Sequence, residues 1–204
     1  MFTYRVDGDL RFISHHDTMR LFQRAIARAA LPVRYTEGFN PHARLSLPLP
    51  RPVGVASDAE ALVVEFEAPV EGADVLDRLN RQVPAGLELT QARRLAVGER
   101  PRPVWVRYRL EIDQAALENA RQRVQELLQQ QAAPIARTDA TGGETRTIDA
   151  KPYLEGMRIA GNSVEFSLRI TDSGTIKPAE VAGLLGYDVR SINHRIRRLE
   201  IQWQ

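Results

Sequence analysis

Residues 98–104 read GERPRPV, and this Pro-rich segment predicts the boundary between two domains. The 204 residues of the chain suffice for two domains of about 100 residues, each with a modest hydrophobic core. Strand-like and helix-like spacings of apolar residues follow one another in a similar order on both sides of the segment. We therefore expect an N-terminal domain at residues 1–100 and a C-terminal domain at residues 101–204.

The N-terminal half predicts two helices among several strands. FTYRV and LRFIS flank Asp7-Gly8, a dipeptide that favours a tight hairpin turn. One helix is expected to begin at Ser14 or Asp17 and to stop before Pro32, and another to span residues 73–83. The remaining strand-like stretches are VRYT, ARLSLPLP, ALVVEFEA and LELTQARRL. With the opening hairpin set aside, the order is β-α-β-β-α-β, which is ferredoxin-like.

The C-terminal half predicts a similar order. VWVRYRLEI reads as a strand, and Asp113 is expected to cap a helix whose apolar residues recur over residues 117–127. The polar segment 138–147 is expected to be a loop, and MRIAGNSVEFSLRI to be a hairpin turning at Gly161-Asn162. A short helix from Pro178 and a final strand, IRRLEIQW, complete the pattern. We expect an α+β chain of two tandem ferredoxin-like (βαββαβ) domains, with antiparallel sheets and helices on one face.

The composition excludes several classes of protein. The chain has no cysteine, so it forms no disulfide, thiolate nucleophile, iron–sulfur cluster or thiolate zinc site. No apolar run approaches the roughly 18 residues that a membrane span needs. The N-terminal sequence MFTYRVDGDL lacks the basic and apolar segments of a secretion signal. We expect a cytoplasmic protein that binds no membrane, no metal and no cofactor.

The basic residues are almost all arginine. Among the 28 Lys and Arg residues, only Lys151 and Lys177 are lysines. Arginine favours planar, bidentate contact with phosphate and stacks on bases, although a bias towards it can also reflect genomic GC content. Up to Arg51 the chain carries eight arginines against four acidic residues, so its first quarter is basic. This distribution points to a polyanionic partner.

The stretch EGFNPHARLSL, residues 37–47, combines a turn with alternating polar residues. Asn40-Pro41 is a turn signal, and Gly38 permits backbone angles that other residues avoid. Beyond the turn, alternate residues are expected on one polar strand face: His42, Arg44 and Ser46. Phosphate contact by Arg and His with stacking by Tyr35 or Phe39 would make an RNA site. A structural bend without a ligand explains the Gly and the Asn-Pro equally well.

Ser14-His15-His16-Asp17 has the spacing of a helix capping box. Capping explains Ser14 and Asp17 but not the two histidines, and the free amides of a helix start favour an anion that His15 or His16 could also bind. Adjacent histidines point in different directions, which disfavours a metal site. Three arginines follow down the helix at four-residue spacing: Arg20, Arg24 and Arg28.

We expect the helix start and the bend to converge on one site. The predicted RNA- or anion-binding residues are Arg11, Ser14, His15, Arg20, Arg24, Tyr35, Phe39, Asn40, His42 and Arg44. No nucleophile elbow, P-loop or dinucleotide-binding motif occurs. General acid–base chemistry stays open, because His15 and His42, with Glu37, could process RNA without a metal.

One long stretch of the N-terminal half, RFISHHDTMRLFQRAIARAALPVRYTEGFNPHARLSLPLPRPVGVASDAE, resembles the signature region of the uncharacterised radical-SAM-linked proteins. Those proteins show an arginine-phenylalanine-x-serine-histidine-x-aspartate run and then a glycine-phenylalanine-asparagine-proline motif. The matching positions here are Arg11, Phe12, Ser14, His15, Asp17, Arg24, Glu37, Gly38, Phe39, Asn40, Pro41 and Ser57. His16 departs from the leucine-like residue that the resemblance leads us to expect.

The resemblance implies a partner. Such proteins are encoded beside, or fused to, a radical SAM protein, often in neighbourhoods concerned with ribosome or RNA processing. A chain without cysteine cannot hold the radical SAM cluster, so that chemistry would belong to a separate enzyme. We therefore expect a non-enzymatic RNA-binding accessory protein that acts with a radical SAM enzyme in tRNA, rRNA or ribosome-related modification. Two alternatives stay open: a metal-independent RNA-processing enzyme, and an adaptor that docks the radical SAM partner without touching RNA.

Overall fold

The computed structural model describes residues 1–138 and 145–204, and within them the chain forms two compact units. The first unit comprises Met1–Pro103 with Gln204, and the second comprises Val104–Trp203. Both units combine helices with mostly antiparallel strands, and the described residues contain four α-helices. The expected α+β class is therefore confirmed. None of the helices in these two described ranges is long and apolar enough to cross a membrane.

The first unit has four strands and two α-helices. In chain order they are β1 (Phe2–Val6), α1 (His15–Arg28), β2 (Leu45–Ser46), β3 (Ala56–Val64), α2 (Gly72–Asn80) and β4 (Leu87–Ala92). Strand β1 lies between β3 and β4 and is antiparallel to both, while the short β2 pairs antiparallel with β3. The strand order within this unit is therefore β4-β1-β3-β2.

The core of the first unit brings both helices onto the sheet. Its buried residues include Phe2, Tyr4 and Val6 of β1, Phe22, Ala25 and Ile26 of α1, Leu62 of β3, and Val75 and Leu79 of α2. The rings of Tyr4 and Phe22 meet edge to face with their centroids 4.9 Å apart. Helix α1 thus packs one face, which carries Phe22, Ala25 and Ile26, against the sheet.

The hairpin expected around Asp7-Gly8 does not form. Both edges of β1 are already paired, so no backbone groups remain for LRFIS to bond along that strand. Instead, the Asp7 carboxylate accepts a hydrogen bond from the Gly8 amide at 2.8 Å and caps a 3-10 helix, Gly8–Phe12. The Arg11 guanidinium donates back to Asp7 at 2.5 Å. The chain therefore leads into α1 instead of returning along β1.

Strand boundaries in the first unit differ from those expected. VRYT forms only isolated bridges, and ARLSLPLP contributes only the two residues of β2. Strand β3 begins at Ala56, five residues before the predicted ALVVEFEA. Asp58 and Glu60 interrupt the apolar pattern in the first half of β3, which hid that half from the sequence analysis.

Among its described residues, the second unit has six strands and two α-helices. In chain order they are β5 (Pro103–Glu111), α3 (Leu117–Gln129), β6 (Pro134–Thr138), β7 (Thr145–Asp149), β8 (Leu154–Ile159), β9 (Ser163–Arg169), α4 (Pro178–Leu184) and β10 (Ile196–Trp203). The strand order is β10-β5-β9-β8, and β6 and β7 form a separate antiparallel pair. The hairpin that turns at Gly161, where φ is +58°, and the helix from Pro178 are confirmed.

Two predictions for the second unit are corrected. The expected loop at 138–147 is partly strand, since β6 ends at Thr138 and β7 begins at Thr145; residues 139–144 of that prediction lie outside the described residues. Thr and Arg dominate β7, so it lacks an apolar signal. Asp113 makes no capping hydrogen bond and pairs instead with Arg195 at 2.6 Å.

Matched phenylalanine substitutions test the core of the first unit. Phe22 is fully buried, so Phe22→Ala should lower the free energy of unfolding by about 3–5 kcal/mol. Phe39 is fully exposed, so Phe39→Ala should change it by less than about 0.5 kcal/mol. Urea unfolding followed by circular dichroism measures both, and equal losses in the two variants would contradict this assignment of the core.

A pH series tests the buried acid of β9. Glu165 accepts hydrogen bonds from Arg109 at 2.7 Å and Arg158 at 2.6 Å, and the Arg109 bond is the chief reason that its pKa is lowered. A lowered folded-state pKa contributes stability above the unfolded value of about 4.3 and loses it as the pH falls through the folded value. The native chain should therefore exceed Glu165→Gln in unfolding free energy at neutral pH, and the difference should vanish in acid; a pH-independent difference would refute this role.

Candidate functional site

Residues 33–44 form a hairpin, here called the arm, at the end of β3. Tyr35 and Ala43 pair in an antiparallel bridge, and the Thr36 amide donates to the His42 carbonyl at 2.8 Å. The His42 amide donates to the Thr36 hydroxyl at 2.9 Å, which closes the last pair before the tip. The chain that was expected to be a strand and a bend thus pairs with itself.

Three backbone hydrogen bonds close a ring at the base of the arm. The Arg34 amide donates to Glu65 at 2.9 Å, the Glu65 amide to Arg44 at 3.0 Å, and the Arg44 amide to Arg34 at 2.7 Å. The ring holds the two arginines side by side. The Arg44 guanidinium lies 3.4 Å from the Glu65 carboxylate, whereas the Arg34 side chain contacts no acceptor within the described residues.

The alternation predicted after the turn is confirmed. Its polar members are exposed, namely His42, Arg44 and Ser46. Its apolar members face the core: Leu47 is buried, and Ala43 and Leu45 are partly buried against the core cluster. The polar face therefore meets solvent because the other face is needed for packing.

The tip of the arm presents an aromatic ring to solvent. Phe39 has a relative exposure of 106%, and Tyr35 one of 48%. Gly38, with φ at +121°, occupies a conformation that other residues avoid and lets the chain turn before Phe39. A phenylalanine in this position gains no packing energy within its own chain, because no described residue covers it.

The start of α1 is built as a helix cap. The Ser14 hydroxyl accepts from the Asp17 amide at 3.1 Å and donates to the Asp17 carboxylate at 2.6 Å. The hydrogen bond from the Ser14 hydroxyl is the chief reason that the pKa of Asp17 is lowered. The Ser14 hydroxyl is thus engaged within the protein as both donor and acceptor. Helix capping accounts for this residue without a ligand.

The predicted arginines differ in what they already bind. Arg11 pairs with Asp7, and its carbonyl accepts from Gly54 at 2.7 Å, so it braces the chain before α1. Arg20 lies 3.5 Å from Asp17. Arg24 is exposed and has no side-chain partner in the part of the chain that the structure describes. Among these arginines, Arg24 therefore has the fewest side-chain interactions within the described part of the protein.

His15 lines a cleft at the start of α1. The cleft is small, with a cavity volume of about 10 Å3, and is lined by Tyr4, His15, Thr18, Leu47, Leu49, Arg51 and Glu60. Glu60 is 3% exposed and lies opposite Tyr4 in the pairing of β1 with β3. Glu60 and Arg51 were not among the residues predicted from the sequence. The available signal was an acid embedded in the strand-like run ASDAEALVV.

Arg51 binds the backbone around the cleft. Its guanidinium donates to the carbonyls of Arg11 at 2.7 Å, Val55 at 2.6 Å and Leu10 at 3.1 Å. These bonds tie the 3-10 helix before α1 to the segment that enters β3. Arg51 therefore has a structural role at the cleft.

The cleft lies beside the middle of β3, whereas the arm joins that strand at its end. The cleft includes Glu60, whereas the arm joins β3 beyond its end, where Val33 bridges Phe66. Six residues of extended chain separate the two positions, which corresponds to about 20 Å. The predicted convergence of helix start and bend is not seen for the two histidines: His15 lines the cleft, whereas His42 lies on the arm.

No metal centre is visible at either place. Within residues 1–138 and 145–204, no group of three or more His, Asp or Glu side chains is close enough to hold a metal ion. The rings of His15 and His16 lie 6.0 Å apart at a steep angle, which fits their adjacent positions at the helix start.

Comparison with known proteins identifies a family. Over residues 1–178 the chain matches the family described as "Uncharacterized protein conserved in bacteria (DUF2344)". The match covers the arm, the cleft and the chain up to the first residue of α4, so the protein belongs to this family. No curated protein matches the chain.

Substitutions at Ser14 test whether this residue serves the cap alone. Ser14→Ala removes the capping oxygen and should lower the free energy of unfolding by about 1 kcal/mol. Ser14→Asp retains an acceptor and should stay close to the native value, although it faces the Asp17 carboxylate. Thermal unfolding followed by circular dichroism distinguishes the two. An unchanged unfolding free energy in Ser14→Ala would argue against the cap as the main role of Ser14.

Proposed function

We propose that this member of the DUF2344 family is a non-enzymatic RNA-binding accessory protein whose arm makes the main RNA contact. The observation that supports this most is that one arm carries both the fully exposed ring of Phe39 and the guanidinium of Arg34, which has no partner in the described residues. An aromatic ring stacks on any base, and a free arginine binds phosphate bidentately. The arm thus offers Phe39 for the base of a nucleotide and Arg34 for its phosphate.

Arg24 supports a second contact on α1. It is exposed without a partner among the described residues, in contrast to Arg28, which donates to Gln82 at 3.2 Å and 2.5 Å. A free guanidinium releases counterions when it meets phosphate, whereas an engaged one must first give up its bonds. We therefore assign phosphate contact to Arg24 before Arg20 or Arg28.

We also propose that each unit is a variant of the ferredoxin-like fold. In the first unit, β1 and β2 both pair with β3. Strand β3 therefore lies between the two strands that α1 connects, as in a ferredoxin-like fold. In the second unit, β5 and β8 both pair with β9 in the same manner. The hairpin of β6 and β7 would then be an insertion after α3, at the point where the first unit has its arm.

We propose that a separate radical SAM enzyme is the partner and that the pair acts in the cytoplasm. The resemblance of residues 11–60 to radical-SAM-linked proteins supports the partner, and the lack of cysteine requires that the cluster belong to another chain. The accessory protein would hold tRNA, rRNA or a ribosome-related component while the partner modifies it.

The acid–base alternative receives less support from the geometry. Two histidines that act on one phosphate must both come within hydrogen-bond reach of it. His15 lines the cleft and His42 lies on the arm, about 20 Å away along β3. An adaptor function without RNA remains the competing proposal, and the experiments below distinguish it.

Substitutions on the arm test RNA binding. Phe39→Ala should weaken binding of a labelled random-sequence single-stranded RNA by roughly 5- to 150-fold, the usual range for one stacked base. Arg34→Ala should weaken it and also reduce the slope of log affinity against log salt by about 0.7, because one phosphate contact is lost. Fluorescence anisotropy over a salt series measures both.

Arg5 offers a matched control for these variants. It is an exposed arginine on β1 that lies 3.6 Å from Glu88 and is remote from the arm. Arg5→Ala should leave affinity and salt slope nearly unchanged. If all three variants bind alike, or if the native protein binds no RNA, the proposal fails.

Purification from native cells after ultraviolet crosslinking tests the partner. We expect a radical SAM enzyme to co-purify together with crosslinked RNA, and the crosslink to be lost in Phe39→Ala while the enzyme is retained. A radical SAM enzyme without RNA above background would instead favour the adaptor. Recovery of neither would count against both proposals.

A further inference from the structure

We infer that the arm recognises an unpaired nucleobase in RNA and not a double helix, an inference that rests on the RNA-binding function proposed above. Three features of the arm carry it: the single ring at its tip, the small number of its free charges, and the hydrogen-bonded base that supports it.

The tip offers one aromatic ring, and stacking on that ring requires one exposed face of a base. The last backbone pair of the arm is Thr36 with His42, and Phe39 lies beyond it with no covering residue in the described chain. Inside a double helix, both faces of each base are covered by neighbours, and exposing one costs a few kcal/mol of unstacking. In a loop, a bulge or a single strand, the face is already open. Stacking on Phe39 is therefore strongly favoured only for an unpaired base.

The free charge of the arm is too small for a double helix. Proteins that hold a duplex through its backbone neutralise about 6–10 phosphates. On the arm, Arg44 already faces Glu65 at 3.4 Å, and Glu37 adds an exposed acid near the tip. Arg34 is the arginine of the arm that has no partner among the described residues. The main favourable contribution must therefore come from stacking, since electrostatic contact supplies only one or two phosphates.

The base of the arm is joined to the sheet by backbone hydrogen bonds. The three bonds that link Arg34, Arg44 and Glu65 anchor both strands of the arm to the end of β3. Ala43 and Leu45 pack against the core on the inner face. Arg34 is thus held in the hydrogen-bonded base of the arm, and Phe39 lies at the tip that this base supports.

A pair of RNA probes tests the inference. The first is a single strand of about ten nucleotides with 2-aminopurine near its centre, and the second is the same strand annealed to its complement. Anisotropy gives the affinities, and quenching of 2-aminopurine reports stacking of that base. We expect the single strand to bind at least about tenfold more tightly than the duplex, with quenching in the single-strand complex.

Two substitutions at the tip identify the ring as the cause. Phe39→Ala should remove most of the preference for the single strand and most of the quenching. Phe39→Trp, which keeps an aromatic face, should restore both. Because Phe39 makes no core contact, both variants should fold as the native chain does, and circular dichroism verifies this.

The possible outcomes distinguish failure of this inference from failure of the proposed RNA-binding function. Equal affinity for the two probes, or a preference for the single strand that survives in Phe39→Ala, overturns the inference and leaves RNA binding intact. Failure of the native protein to bind either probe overturns both. A preference for the single strand that depends on an aromatic residue at position 39 supports both.

Discussion

The pairing of β1 along both of its edges is the constraint on which the first unit depends. With β3 on one side and β4 on the other, the strand has its backbone groups satisfied, and its buried side chains form the centre of the core. The chain that follows Val6 must therefore leave the sheet. It does so through the 3-10 helix that Asp7 caps, and this fixes where α1 begins and which of its faces meets β1.

The arm follows from a similar constraint at the other end of β3. Strand β2 contributes only Leu45–Ser46 to the sheet, so most of the chain between α1 and β3 cannot satisfy its backbone there. It pairs with itself instead, and the ring of bonds at Arg34, Arg44 and Glu65 joins that pairing to the sheet. Two arginines side by side repel each other, but both are exposed and the Glu65 carboxylate lies beside Arg44.

The sequence predicted features that depend on local signals. Helix α1 with its Ser14 cap, the turn at Gly161 and the alternation after Pro41 all depend on spacing or on backbone preference within a few residues. The sequence-based prediction was wrong where pairing with a distant strand determines the local structure. Asp7-Gly8 has the composition of a hairpin turn, yet the pairing of β1 with β4 removes the edge that a hairpin needs. Helix start and arm are neighbours along the chain, but His15 lines the cleft beside the middle of β3, whereas the arm joins that strand at its end.

The cleft and the arm also differ in what their polar residues do for the fold. At the cleft, Arg51 holds three backbone carbonyls and Glu60 is buried against the sheet, so substitution there disturbs folding and any binding together. On the arm, the inner face packs against the core, whereas Arg34, Phe39 and His42 are exposed. Their side chains contribute little to folding, so the choice of an aromatic residue at the tip has no explanation in stability. A solvent-exposed ring is instead suited to binding an external planar group, which is why we propose that the arm recognises RNA and that the capped start of α1 serves the fold.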